Sequence, residues 1–149
     1  VKVLFDTSVL IAGSLTQHPS HNPCFAQLQA AKSGQIQGCL STHSLAETYS
    51  VLTRLPIQPR ISPSYAENII LNLLQYLETI PLRSTDYQAA IAQMATLKIP
   101  GGGIFDALIA QAALKAEVDK ILTLNPSHFT RLDPAIAQIT QVPGSTSNI

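Results

Sequence analysis

Val1-Lys2-Val3-Leu4-Phe5-Asp6-Thr7-Ser8-Val9-Leu10-Ile11-Ala12 opens the chain with a short apolar run of β formers that stops abruptly at an acid. Ser8 is placed to cap the apolar residues that follow, so the segment predicts a strand, a tight turn and a helix. The same alternation continues along the chain. Pro23 sits where a first helical turn tolerates it, and Phe25, Leu28 and Ala31 make a stripe ending at Gly34, before a second strand over 37–40. Ser41 or Thr42 caps the next helix, whose face is Leu45, Tyr49 and Leu52 and which Pro56 stops. The linker 56–63 holds three prolines, yet the stripe Ile69, Leu73, Leu74 and Leu77 resumes directly. A helical hairpin arm on the same domain is therefore expected, not a domain boundary.

A third strand is predicted over 78–82, and Ser84 caps a helix carrying Ala89, Ala92, Met94 and Ala95. Pro100 with Gly101, Gly102 and Gly103 breaks it and reads as a flexible linker. The stretch 104–116 is apolar nearly all round, which marks a helix covered on most sides. Strands are expected over 120–124 and 136–142, with one domain over 1–142 and a frayed tail over 143–149. Alternating strands and helices imply an α/β domain whose parallel sheet has helices on both faces.

The chain has 149 residues, 46% hydrophobic and 12% charged, which suits one domain with a sizeable core. It needs no disulfide framework, so Cys24 and Cys39 read as buried thiols. Nine Lys and Arg balance nine Asp and Glu, and zero net charge excludes the strongly basic field of a general nucleic-acid coat. The charged fraction is about half that of an average soluble domain, so some apolar helix faces are expected to meet a partner chain. No apolar stretch approaches the roughly 18 residues that span a bilayer, and Val1 to Asp6 lacks the length and cleavage site of a signal peptide. A cytoplasmic protein without membrane contact is expected.

In a parallel sheet, ligands bind beyond the carboxyl ends of the strands. Asp6 closes the first strand, Asp106 lies in the first turn of the most apolar helix, Asn125 follows the strand over 120–124, and Glu47 interrupts the helix after the second strand. Carboxylates gathered without Lys or Arg repel one another and have raised pKa values unless a divalent cation neutralises them. All-oxygen ligation of that kind suits Mg²⁺ or Mn²⁺.

Each residue also has an ordinary structural reading. Asp6 serves as a turn acid, although an acid ending a buried strand points at the ligand crevice. Glu47 on its own reads slightly better as a solvated helix position. Asp106 complements the positive end of its helix, a gain of about 0.3 to 1 kcal/mol. Yet it shares a stripe with Ile109, Ala110 and Ala113, where a lone carboxylate is costly. Asn125 before Pro126 reads equally as turn and as ligand. Ser8 is a helix cap whose hydroxyl also lies beside Asp6. His18 and His21 flank Pro19 in a loop signature and read as surface residues, and His43 and His128 are isolated in sequence. Gly101 to Gly103 lack the Lys and Ser/Thr of a phosphate-cradling loop.

Phe5-Asp6-Thr7-Ser8, Ala46-Glu47, Phe105-Asp106-Ala107-Leu108-Ile109-Ala110, and Thr123-Leu124-Asn125 followed by Phe129 together resemble the PIN-domain family. Within it the chain resembles the VapC-like toxins of type II toxin–antitoxin systems, from Val1 to about Leu132. The resemblance implies a three-layer α/β/α fold that hydrolyses RNA phosphodiesters with Mg²⁺ or Mn²⁺, leaving a 3′-hydroxyl and a 5′-phosphate. Asp6, Glu47 and Asp106 would be the metal ligands, and Asn125 would fill the fourth position, often Asp in relatives. Asn keeps an oxygen and loses a charge, so one tightly held ion is expected. Ser8 and Thr123 would orient waters or ligands behind the acids. An antitoxin segment and a second copy of the chain would cover the apolar faces.

Neutral charge suits a sequence-selective or structure-selective ribonuclease, with Lys98, Arg54, Arg60 and Arg83 as candidate phosphate contacts. A second reading is a PIN-like RNA-binding or scaffold module without catalysis, motivated by Asn125 and the weak basic character. A third, a phosphohydrolase of the haloacid-dehalogenase type, wants an acid two residues after the nucleophile, where this chain has Ser8.

Overall fold

The computed structural model describes residues 1–145. Its five strands are β1 (Lys2–Phe5), β2 (Gln37–Ser41), β3 (Glu78–Ile80), β4 (Lys120–Leu122) and β5 (Thr140–Gln141). They form one sheet in the order β3-β2-β1-β4-β5, and every pairing is parallel. The connecting helices are α1 (Thr7–Ser14), α2 (His21–Lys32), α3 (Thr42–Arg54), α4 (Pro63–Leu74), α5 (Ser84–Leu97), α6 (Gly103–Ala116), α7 (Pro126–Thr130) and α8 (Pro134–Ile139).

Strand alternation splits the interior into two cores. Val3 and Phe5 face one side of the sheet and pack with Leu10, Leu28, Leu52 and Leu73 from α1 to α4. Leu4 faces the other and packs with Met94, Ile109, Phe129 and Ile136 from α5 to α8. Both faces are therefore dry, which is why β1 reads as a continuous apolar run. The result is the three-layer α/β/α arrangement, with α3 and α4 forming the expected hairpin and α4 seated in the first core. Cys24 and Cys39 are buried free thiols, and loss of hydration pushes each up to about 11.

The C-terminal third departs from the expectation. Over 136–142 only Thr140–Gln141 is strand, and the residues before it are α8. Asp133 Oδ1 accepts from the Ala135 N–H at 2.7 Å and Pro134 occupies the first turn, so an Asp-Pro start signal wins. Ile136 and Ile139, one turn apart, then pack into the second core. The turn read at Asn125-Pro126 opens α7, which buries Phe129 completely. The first and third caps also shift. Asp6 stands at the cap position of α1, with Ser8 inside the first turn, and Arg83 precedes α5, its N–H donating to Asp86 Oδ2 at 2.7 Å. Ser41 caps α3 as expected, accepting from the Ser44 N–H.

Of the glycines read as a linker, Gly101 and Gly102 are exposed with open space where a Cβ would stand, and Gly103 is packed at the start of α6. Gly101 takes φ +67°, and at buried Gly103 a Cβ would lie 2.6 Å from Ile99 Cγ2. Of the expected tail, Pro143 is buried and the Ser145 N–H donates to Val142 O at 3.1 Å, while 146–149 lie outside the described residues.

Gly38 in β2 sits where its neighbours leave no room for a side chain. A Cβ there would lie 2.5 Å from Leu77 Cδ2, 3.0 Å from Ala31 Cβ and 3.1 Å from Phe5 Cε2, all buried neighbours. Gly38→Ala is expected to destabilise the fold by about 1–3 kcal/mol through overpacking, read as a lower urea midpoint at unchanged slope.

Candidate active site

The carboxyl ends of β1 and β4 lie side by side, since Phe5 pairs with Leu122, and this register brings Asp6 beside Thr123. Asp6 is buried, only 4% exposed, and its Oδ2 accepts from Ser8 Oγ at 2.7 Å and from Thr123 Oγ1 at 2.8 Å. The two hydroxyls are tied in turn to the loop after β4. Ser8 Oγ accepts from the Leu124 N–H and Thr123 Oγ1 from the Asn125 N–H, each at 3.0 Å. Thr7, also buried, donates to Ser44 Oγ at 3.1 Å and so links the start of α1 to that of α3.

Asp6, Ser8, Glu47, Asp106 and Asn125 line one open cleft of about 390 Å³, with His18 and the apolar Val51 and Leu55 at its sides. Thr123 lies behind it, fully buried. Glu47 reaches the cleft because α3 starts immediately after β2 and crosses the strand ends; Asp106 reaches it from the first turn of α6. Asn125 is the exposed member, on the rim.

Burial raises the Asp6 carboxyl above its ordinary value, with Ser8 and Thr123 opposing and the charge of Glu47 adding to the rise. Burial and then the charge of Asp6 push Asp106 up to about 6, opposed by His128. Glu47 is held low, chiefly by the hydrogen bond with His43, whose Nε2 lies 3.2 Å from its Oε2. His128 Nδ1 lies 3.4 Å from Asp106 Oδ2. His43 and His128, isolated in sequence, are therefore partners of two of the acids. His43 was findable, being four residues before Glu47 on one helix face. The pairing of His128 with Asp106 needed the fold.

Among the described residues no three Asp, Glu, His or Cys side chains stand at metal-holding distance. The donor set nevertheless suits a hard divalent cation: three carboxylates and an amide oxygen, with the charge of Glu47 raising Asp6, those of Asp6 and Glu47 raising Asp106, and no Lys or Arg lining the cleft. Arg54, Arg60, Arg83 and Lys98 do not line it either. The arginine whose charge reaches Asp106 is Arg131, which carries no motif in the sequence. His18 and His21 belong to the loop and α2: His18 Nδ1 accepts from the Ser20 N–H, and His21 stacks on Phe25.

The sequence model of the PIN domain matches residues 2–127, the span that contains every residue lining this cleft. The chain belongs to the PIN domain family. This PIN domain is 37% identical over 118 residues to Ribonuclease VapC40 of Mycobacterium tuberculosis, covering 79% of this chain and 82% of that protein. Ribonuclease VapC27 of the same species is 35% identical over 108 residues, 72% of this chain and 74% of that one. Among solved structures, VapBC2 from Rickettsia felis bound to a DNA fragment from their promoter matches with a TM-score of 0.69, over 96% of this chain and 99% of that chain. At 18% identity the last likeness is one of fold. Among the described residues no helix is long and apolar enough to cross a membrane.

Proposed function

We propose that this PIN domain is a divalent-metal-dependent endoribonuclease and the toxin of a toxin–antitoxin pair. The observation that carries the reading is the gathering of Asp6, Glu47 and Asp106 around one cleft in a chain 37% identical to a ribonuclease. The three acids, with the amide oxygen of Asn125, are the proposed holders of Mg²⁺ or Mn²⁺. When bound, the ion supplies a Lewis acid for the scissile phosphoryl group and an acidified water. Water adds to phosphorus and the bond to the 3′-oxygen breaks, leaving a 3′-hydroxyl and a 5′-phosphate. Ser8 and Thr123 hold one oxygen of Asp6 in place throughout, so the carboxylate needs no reorientation during the reaction.

A cognate antitoxin and a second copy of the chain are the proposed partners. Phe25, Tyr65, Ile91 and Leu114 stand exposed on the single chain and suit a covering surface. A cytoplasmic site of action fits that pairing. The second reading, an RNA-binding scaffold, is favoured by Asn125 at the rim and by the histidines engaging Glu47 and Asp106.

Incubating purified protein with total cellular RNA in Mg²⁺, Mn²⁺ or EDTA separates the two. Cutting that yields 5′-phosphates and stops in EDTA is expected. RNA binding without cutting in either metal would favour the scaffold. Thr123→Val, which keeps shape and loses the hydroxyl, is expected to reduce cleavage by about 10–100-fold, as removing a support behind a metal ligand does. Thr123→Ser should recover most of the loss; equal activity in Thr123→Val would remove the hydroxyl from the mechanism.

A further inference from the structure

We propose that Phe105 is a stacking platform for an unstacked base of the RNA beside the scissile phosphate, an inference that rests on the ribonuclease reading above. Phe105 immediately precedes Asp106 in the first turn of α6 and is 46% exposed. Its ring lies parallel to that of His43, with centroids 4.9 Å and planes 6° apart. The imidazole covers one face and fixes the ring, so the exposed surface lies on the other face and rim. His43 Nε2 is also 3.2 Å from Glu47 Oε2, so a single imidazole separates the phenyl ring from a cleft carboxylate.

The direction of approach follows from α3. Val51 and Leu55, C-terminal to Glu47, line the cleft, and His43 lies four residues to the N-terminal side. A strand laid across the acids from the Val51 end therefore meets Phe105 as it leaves them. Charge supports the same conclusion. With nine cations against nine acids, the chain has little phosphate attraction to spare, and stacking is the other general source of affinity for a single strand. Only an unpaired, splayed base can use such a ring, which makes single-stranded or looped RNA the substrate class.

The chain contains no tryptophan, so Phe105→Trp carries a single indole whose emission reports stacking. A short single-stranded oligoribonucleotide of mixed sequence is expected to quench that emission, in Mg²⁺ and in EDTA, more than the same sequence as a duplex. In steady-state cleavage Phe105→Ala is expected to raise KM by about 5- to 100-fold with kcat little changed, and Phe105→Trp to recover the wild-type KM. The exposed position keeps the fold out of the comparison, which thermal melts check. Cleavage without quenching, with KM unmoved in Phe105→Ala, would overturn the platform and leave the nuclease standing. Quenching without cleavage by the wild type would do the reverse, and absence of both signals would overturn both. If Phe105→Ala instead shifts the sedimenting species to a smaller one, the ring is a contact between copies of the chain and the platform is overturned.

Discussion

Asp6→Asn is expected to lower metal-dependent RNA cleavage by on the order of 10³-fold or more, while the metal-free protein becomes more stable at neutral pH. The two effects have one cause. Asp6 is 4% exposed, the hydroxyls of Ser8 and Thr123 are its hydrogen-bonding side chains, and among the described residues no Lys or Arg lines its cleft. Those two neutral dipoles do not offset the loss of hydration, and the folded-state pKa stands above the ordinary 3.8.

A carboxyl raised in this way binds its proton more tightly in the folded state than in the unfolded one. Its contribution to stability is greatest below the unfolded value and declines as pH rises through the folded one. Asp106 adds to the decline between about 3.8 and about 6. Asn keeps the shape of Asp6 and an oxygen to accept from both hydroxyls, and it removes the charge. Thermal melts in EDTA are therefore expected to show wild type losing Tm from pH 4 to pH 7.5 more steeply than Asp6→Asn. Mg²⁺ should raise the wild-type Tm at pH 7.5 and leave the variant unmoved. Cleavage by Asp6→Asn within a few-fold of wild type would remove Asp6 from the centre of the site.

Phe129→Ala should cost about 3–5 kcal/mol of folding stability. Phe129 has no exposed surface and belongs to the core on the α6 side of the sheet, with Leu4, Ile109 and Ile136. It is also the buried residue of α7, a helix of five residues that is too short to persist on its own propensity. The ring is therefore what holds α7 to the domain, and α7 carries His128 to Asp106 and follows directly on Asn125. The truncation is expected to lower Tm by roughly 2–4 °C for each kcal/mol lost and to weaken cleavage in proportion to the loosened rim. Phe129→Leu, which refills most of the space, should recover the larger part of both. Urea unfolding gives the comparison, and a loss below about 1 kcal/mol for Phe129→Ala would mean that α7 is held by other contacts.

The fold was legible where elements are long and periodic. β1 and β4 are buried on both faces and read as short, mostly apolar runs, and α2, α3 and α6 carry stripes or caps over three turns or more. The pattern was thin over α7 and α8, whose five and six residues hold too little periodicity to separate helix from turn or strand. There the start signals, Asn-Pro and Asp-Pro, were better guides than the apolar residues after them. Of the three glycines before α6, composition could not single out Gly103, where a Cβ would lie 2.6 Å from Ile99 Cγ2, from Gly101 and Gly102, which stand in open space.

Sequence alone determined the alternation of strands and helices, the parallel sheet that follows from it, and the placement of Asp6, Asp106 and Asn125 at element ends. These are local properties of the chain, and a parallel sheet then carries strand-end residues to one edge whatever the details of packing. For Glu47, in mid-helix, the residue pattern alone favoured a solvated position and only the family resemblance pointed to the cleft that the fold gives it; tertiary structure alone decided that His128 and Arg131 act on Asp106. It also decided that Phe105 stacks on His43. Each of those depends on the angle at which a helix crosses the sheet and on which residues it then meets, and that is settled by how the two cores fill, long after the one-dimensional pattern has been spent.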